Sequence, residues 1–225
     1  MSTLILLRHA QASFGADRYD SLSELGHQQA RVTGQHLAQR QRRFTDVHIG
    51  PRERHRLTAR YALGALGVDD APYPGIAALD EFAEGQQILA AAEARQGVRL
   101  RGAGAVTGVE ARRRYAEEIA AWTQGRTVIE GVPDVGSFRR AVADWLAQAT
   151  AAPESGQRVL AVTSGGVIAA IMATVLGLPD ASVGPFMSAI HNVSLTELAF
   201  SRGRPPSLVS FNATGHLPDA LLARV

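Results

Sequence analysis

Short apolar runs alternate with longer stretches of helical period along this chain. Residues 3–7 read TLILL, a continuous β-rich run of the kind shown by a strand buried on both faces of a parallel sheet. Ser23 then stands as an N-cap for a helix reaching about Arg40, with Ala30, Gly34 and Leu37 on one face. A short strand over about 46–49 follows, and Gly50-Pro51 breaks the chain. Beyond the break an Arg-rich helix keeps Leu57, Tyr61 and Ala65 at the four-residue spacing of a packed face, which makes a second βα unit.

From about 84 to 127 the chain is rich in Ala, Gln, Glu and Arg without a convincing strand, so a helical insertion capping one end of the sheet is expected there. The βα rhythm resumes with a helix around 137–149, striped by Phe138, Val142, Trp145 and Ala149, and a strand over 158–162. That strand runs into Thr163-Ser164-Gly165-Gly166. A helix over about 167–176 stops at Gly177, and 193–200 and 208–211 read as further strands. The sum is an α/β fold of three layers, α/β/α, around a mostly parallel sheet. Its 225 residues suit one domain, 1–225, carrying the cap insertion at about 84–127.

Composition removes whole classes of chemistry. There is no cysteine, which excludes a disulfide framework, Cys-ligated zinc and a thiolate nucleophile. All 23 basic residues are Arg, so neither a P-loop Lys nor a Schiff-base Lys is available. A net charge of +2 is too small to argue for nucleic acid, and Arg40, Arg42 and Arg43, with Arg112, Arg113 and Arg114, read as solvated helix faces. No apolar run approaches the roughly 18–20 residues of a membrane span. The N-terminal residues carry no basic leader and no small-residue cleavage site, so a cytoplasmic protein without a membrane partner is expected. No cluster of carboxylates or His suggests a metal, and no cofactor is expected.

In open parallel sheets, ligands gather beyond the carboxyl ends of the strands. Three strand ends here carry reactive residue types: Arg8-His9, the segment 50–56, and the segment 163–166. A neutral imidazole can attack phosphorus, while guanidinium groups bind phosphate oxygens in a planar fork and keep their charge. An Arg-His pair therefore suits phosphoryl transfer.

In order along the chain, Leu7-Arg8-His9-Ala10-Gln11, Leu22-Ser23-Glu24-Leu25-Gly26, Gly50-Pro51-Arg52-Glu53-Arg54-His55-Arg56-Leu57-Thr58-Ala59 and Leu79-Asp80-Glu81 resemble motifs of the histidine phosphatase superfamily, also called phosphoglycerate-mutase-like. Asn192-Val193-Ser194-Leu195-Thr196 and the segment 211–217 are similar to its late motifs. The resemblance implies that His9 becomes phosphorylated, that Arg8 and Arg54 bind phosphate, and that Glu81 is the general acid. Gln11, Ser164, Gly165 and His216 are implied to line the phosphate pocket. Arg56 is the fallback for Arg54, and Asp80 and Glu84 compete with Glu81. The implied activity is phosphomonoester hydrolysis of a small phosphorylated substrate without a metal.

The resemblance breaks at one place. A second His followed by Gly is expected after the strand 158–162, and this chain has Ser164 there. A hydroxyl donates a hydrogen bond but brings no positive charge, and losing one such donor costs about 100- to 1000-fold in rate. His191 and His216 are the candidates to restore a charge, and Ser164→His is expected to raise activity. Three other readings fit parts of the pattern. They are a phosphate-binding or regulatory module that lost turnover, a mutase, and a hydrolase using Ser164, although Val162 occupies the first Gly of G-x-S-x-G. His27, His36, His48 and His55 read as surface or packing residues, and Trp122 and Trp145 as packing. Cap residues Arg95, Arg99, Arg101 and Arg112, Arg113 and Arg114 are available for an anionic substrate tail.

Overall fold

A computed structural model describes residues 1–13, 20–40, 43–68, 73–151 and 155–222; Arg42 of the first Arg cluster lies outside them. The TLILL run forms the centre of β1 (Ser2–Arg8), whose Leu4, Leu6 and Leu7 have no accessible surface. Each such burial contributes roughly 1.5–3 kcal/mol. After α1 (Glu24–Gln39), β2 (Asp46–Ile49) and α2 (Glu53–Gly64) complete the second unit. The segment expected to form the cap contains α3 (Gly85–Gln96) and α4 (Gly108–Thr123). Then come α5 (Val135–Ala149), β3 (Arg158–Thr163), α6 (Gly165–Val175), α7 (Val183–Ala189), β4 (Leu195–Ser201) and β5 (Arg204–Ala213).

The sheet order is β2-β3-β1-β4-β5. β1, β2 and β3 are parallel, and β4 is antiparallel to both β1 and β5, so four of the five strands share a direction. Alternation along β1 divides the core. Ile5 and Leu7, with Leu160 and Val162, face α1 and α2. Leu4 and Leu6, with Val159 and Ala161, face α5, α6 and the cap. These are the three layers expected. α1 approaches α2 closely through Gly34, where a Cβ would come within 2.4 Å of the Tyr61 carbonyl oxygen.

Two sequence readings need correction. α7 carries no periodic signal in its 7 residues and escaped notice. The buried face of α2 is Arg54, His55, Thr58, Ala59, Ala62 and Leu63, not the Leu57-Tyr61-Ala65 row. The helix packs on β3 and β2 with its polar first turn inward, where it forms part of a site. No helix among the described residues is long and apolar enough to cross a membrane.

Candidate active site

Register brings three strand ends level. Arg8 of β1 pairs with Thr163 of β3, and Ile49 of β2 pairs with Val162. The next residues continue the ladder, with His9 N donating to Thr163 O at 2.8 Å and Gly50 N to Val162 O at 2.9 Å. α2 and α6 both start within a few residues of these ends, so their positive N-terminal poles and first-turn side chains serve the same spot.

His9 is buried. Its Nδ1–H donates to the Ala10 carbonyl at 2.8 Å, which fixes the tautomer and leaves a lone pair on Nε2. Arg54 Nε donates to that Nε2 at 3.3 Å, and Arg54 Nη1 is anchored on Asp20 Oδ1 at 2.7 Å. Burial, then the charges of Arg54 and Arg8, hold the His9 imidazole well below its usual range, so it is neutral. Arg8 Nη1 donates to the Ile190 carbonyl, while its buried Nε has no partner. Gly165 lies against it, since a Cβ there would come within 3.4 Å of Arg8 Nε. Burial pulls the Arg8 guanidinium down to about 10, so it still carries its charge at neutral pH.

Glu81 Oε1 accepts from Phe82 N at 3.1 Å and Oε2 from Gly166 N at 3.3 Å. Burial raises its carboxyl above the ordinary value, and the hydrogen bonds and the Arg54 and Arg8 charges only partly offset this. The competing groups point elsewhere. Asp80 and Glu84 both pair with Arg52, and Arg56 lines a separate groove of about 950 Å³ with Arg60 and Tyr61. The structure therefore brings Arg8, His9, Arg54 and Glu81 together.

The late motif holds the first strand's end. Asn192 Nδ2 donates to His9 O at 3.0 Å, and Val193 N to Arg8 O at 3.1 Å. Val193 sits at φ 51°, a left-handed conformation that costs a β-branched residue on the order of 1–3 kcal/mol. Gln11 works from the other side: Ser23 Oγ donates to its Oε1 at 2.8 Å, tying the loop after His9 to the N-terminus of α1.

Of the proposed stand-ins for the second His, His216 lies elsewhere in the hydrogen-bond network. His216 Nε2 meets Thr33 Oγ1 at 3.0 Å and its ring stacks on His36, so it is committed to α1. The His191 backbone N–H donates to Asn212 Oδ1 at 2.8 Å. Instead, His55, which the sequence reading left without a role, is fully buried with Nε2 2.7 Å from Ser164 Oγ. It shares a face with Thr58 and Ala59 at i+3 and i+4, and only the packing of α2 shows that this face points inward. Asp20, the anchor of Arg54, carried no comparable signal. Ser164 adopts unstrained extended backbone, φ −102° and ψ 164°, unlike a nucleophile elbow.

The cap arginines expected to await a substrate tail are largely engaged within the cap. Arg95 pairs with Glu118, Arg101 with Glu93, and Arg113 and Arg114 with Glu110, while Arg99 donates to Ala103 O. The cap's approach to the site is Tyr115, close enough to Arg8 to favour its charge. Among the described residues no three His, Asp or Glu side chains assemble a metal site.

The sequence model of the histidine phosphatase superfamily, branch 1, matches residues 4–97 and 79–214. No curated protein matches the chain. Among solved structures it is similar to phosphoserine phosphatase from Entamoeba histolytica in complex with 3-phosphoglyceric acid, at 20% identity and a TM-score of 0.68, over 97% of this chain and 100% of that one. It is also similar to Bacillus stearothermophilus YhfR, at 18% identity and a TM-score of 0.67, over 96% and 99%. Mycobacterial glucosyl-3-phosphoglycerate phosphatase follows at 23% identity and 0.62, over 95% and 99%. These likenesses establish the fold.

Proposed function

This chain belongs to the histidine phosphatase superfamily, and on that premise we propose that it is a phosphomonoester hydrolase working through a phosphohistidine on His9. The observation that carries this reading is the His9 ring. Its Nδ1 proton is committed to Ala10, and its Nε2 lone pair faces the Arg54 guanidinium, with the unpartnered Arg8 Nε nearby.

Arg8 and Arg54 clamp the phosphate, and His9 Nε2 attacks phosphorus in line as the ester P–O bond breaks. Glu81, whose carboxyl burial raises above its ordinary value, gives its proton to the leaving oxygen. The Glu81 carboxylate then takes a proton from water as that water attacks the phosphohistidine. The N–P bond breaks, inorganic phosphate leaves, and both groups return to their starting states. Two permanent guanidinium charges supply what a divalent ion supplies elsewhere, so the reading needs no metal.

Small phosphorylated acids are the first substrates to screen, since solved structures of this fold include a phosphoserine phosphatase holding 3-phosphoglyceric acid. Rapid quenching with an aryl phosphate should trap an acid-labile phosphoryl group on the His9 peptide, and His9→Ala should abolish both trapping and turnover. Undiminished turnover by His9→Ala would end the proposal.

A further inference from the structure

The family resemblance leaves the site one imidazole short at Ser164, and α2 brings one to that hydroxyl. His55 Nε2 and Ser164 Oγ are 2.7 Å apart, and the His55 ring centre is 5.5 Å from that of His9. Ser164 is the N-cap residue of α6, yet its side chain makes no capping bond, because the hydroxyl is engaged with His55. On the opposite side of the ring, Nδ1 rests on the Gly50 backbone, where a Cβ would approach to 2.1 Å, and it makes no well-formed hydrogen bond. Packing alone does not explain a polar ring in so dry a place.

We propose that His55 is the pocket's second imidazole, a positioning residue that acts through Ser164 on the bound phosphate. This rests on the reading of His9 as phosphate carrier. In the free enzyme Ser164 Oγ–H donates to His55 Nε2. When a phosphate dianion docks between Arg8 and Arg54, one solvent proton enters at His55 Nε2. Nε2–H then donates to Ser164 Oγ, and the Ser164 hydrogen turns to a non-bridging phosphate oxygen. Departure of inorganic phosphate returns the proton to solvent, so the cycle balances. Before docking the ring is held neutral by burial and by the cations Arg54, Arg52 and Arg56 of α2 and its N-cap, with the neutral His9 ring facing it from the end of β1. Arg52 is also ion-paired with Asp80 and Glu84. A dianion beside Arg54 counters these cations and favours the charged ring.

The same geometry alters the expectation for Ser164→His. The space an imidazole at 164 needs is filled by the His55 ring, so the single change is expected to bring no gain. His55→Ala should lower kcat/KM by about 100-fold, and His55→Ala with Ser164→His should recover at least about tenfold of that loss, because an imidazole at 164 then meets phosphate directly. His55→Gln keeps the volume and guards against misfolding, checked by circular dichroism and melting. Titration of inorganic phosphate near pH 8 in two buffers of different ionisation enthalpy should show wild type taking up about one proton more than His55→Gln. Three results would each overturn the relay while leaving His9 in place: His55→Gln within about twofold of wild type, a double variant no better than His55→Ala, or equal proton uptake. Turnover persisting in His9→Ala would bring down the phosphohistidine reading and the relay with it.

Discussion

Arg54 Nε donates to His9 Nε2 across 3.3 Å, so the phosphate-binding cation and the attacking nitrogen are each other's partner before substrate arrives. A phosphate oxygen has only to replace one acceptor with another for Arg54, and Asp20 holds the guanidinium in place meanwhile. The fork geometry is what matters. Arg54→Lys keeps the charge but cannot reach His9, Asp20 and phosphate together, and kcat/KM for an aryl phosphate should fall by about 100- to 1000-fold. Asp20→Asn should weaken the hold on Arg54 and act chiefly on KM.

Glu81 is placed by the glycine it contacts. A Cβ on Gly166 would stand 2.0 Å from Glu81 Oε1, so Gly166→Ala must move the carboxyl off its position. Both Gly166→Ala and Glu81→Gln should slow esters with poor leaving groups by about 100-fold or more while sparing nitrophenyl phosphate, whose leaving group needs no proton. A leaving-group series read as kcat against leaving-group pKa checks this. Equal losses across the series would remove Glu81 from the acid role.

The three layers were legible in the local pattern, and so were Arg8 and His9 at the end of β1, whereas Arg54 and Glu81 were singled out by their place in the family's motifs. The TLILL run fixes where β1 ends, and parallel pairing with β3 sets that end beside Thr163. What escaped was information carried by contact alone. His55 was passed over because it looked like one more polar residue in an Arg-rich helix, and only the rotation of α2 turns it onto Ser164. His216 looked available until α1 supplied Thr33 and His36 as its neighbours. Asp20 meets Arg54 across 34 positions of sequence, a pairing that no local spacing encodes.

The cap is tied to the site by stacking. Phe82, next to Glu81, lies 4.1 Å from the Trp122 ring at an interplanar angle of 16°, and Trp122 Nε1 donates to Pro133 O at 3.0 Å. Trp122→Ala should cost about 3–5 kcal/mol in urea unfolding, and Trp122→Phe about 1 kcal/mol for the lost hydrogen bond. Because Phe82 shares the turn with Glu81, Trp122→Ala should also lower kcat in protein that remains folded. A variant that loses stability without any change in kcat would separate the cap from the catalytic turn.

The pH response follows from opposite shifts on two groups. His9 must be unprotonated at Nε2, and burial with the Arg54 and Arg8 charges sets its titration well below 6.5, so activity should persist below the ordinary imidazole range and fall only in more acid solution. Glu81 must be protonated, and burial raises its titration above 4.5, so kcat/KM should fall as pH rises through that elevated value. In Glu81→Gln the part of the alkaline fall that Glu81 causes should vanish at a lower overall rate, and any limb that survives belongs to the substrate phosphate, which titrates at about 6, or to proton uptake at His55. Stability gives an independent check on the sign. A carboxyl whose folded pKa is raised favours the folded state fully below its unfolded value and loses that contribution as pH rises through the folded one. Glu81→Gln should therefore melt higher than wild type in neutral and alkaline solution, with the difference shrinking toward zero below about pH 4. A melting difference that grew on acidification would mean that Glu81 is held as a carboxylate and cannot be the acid.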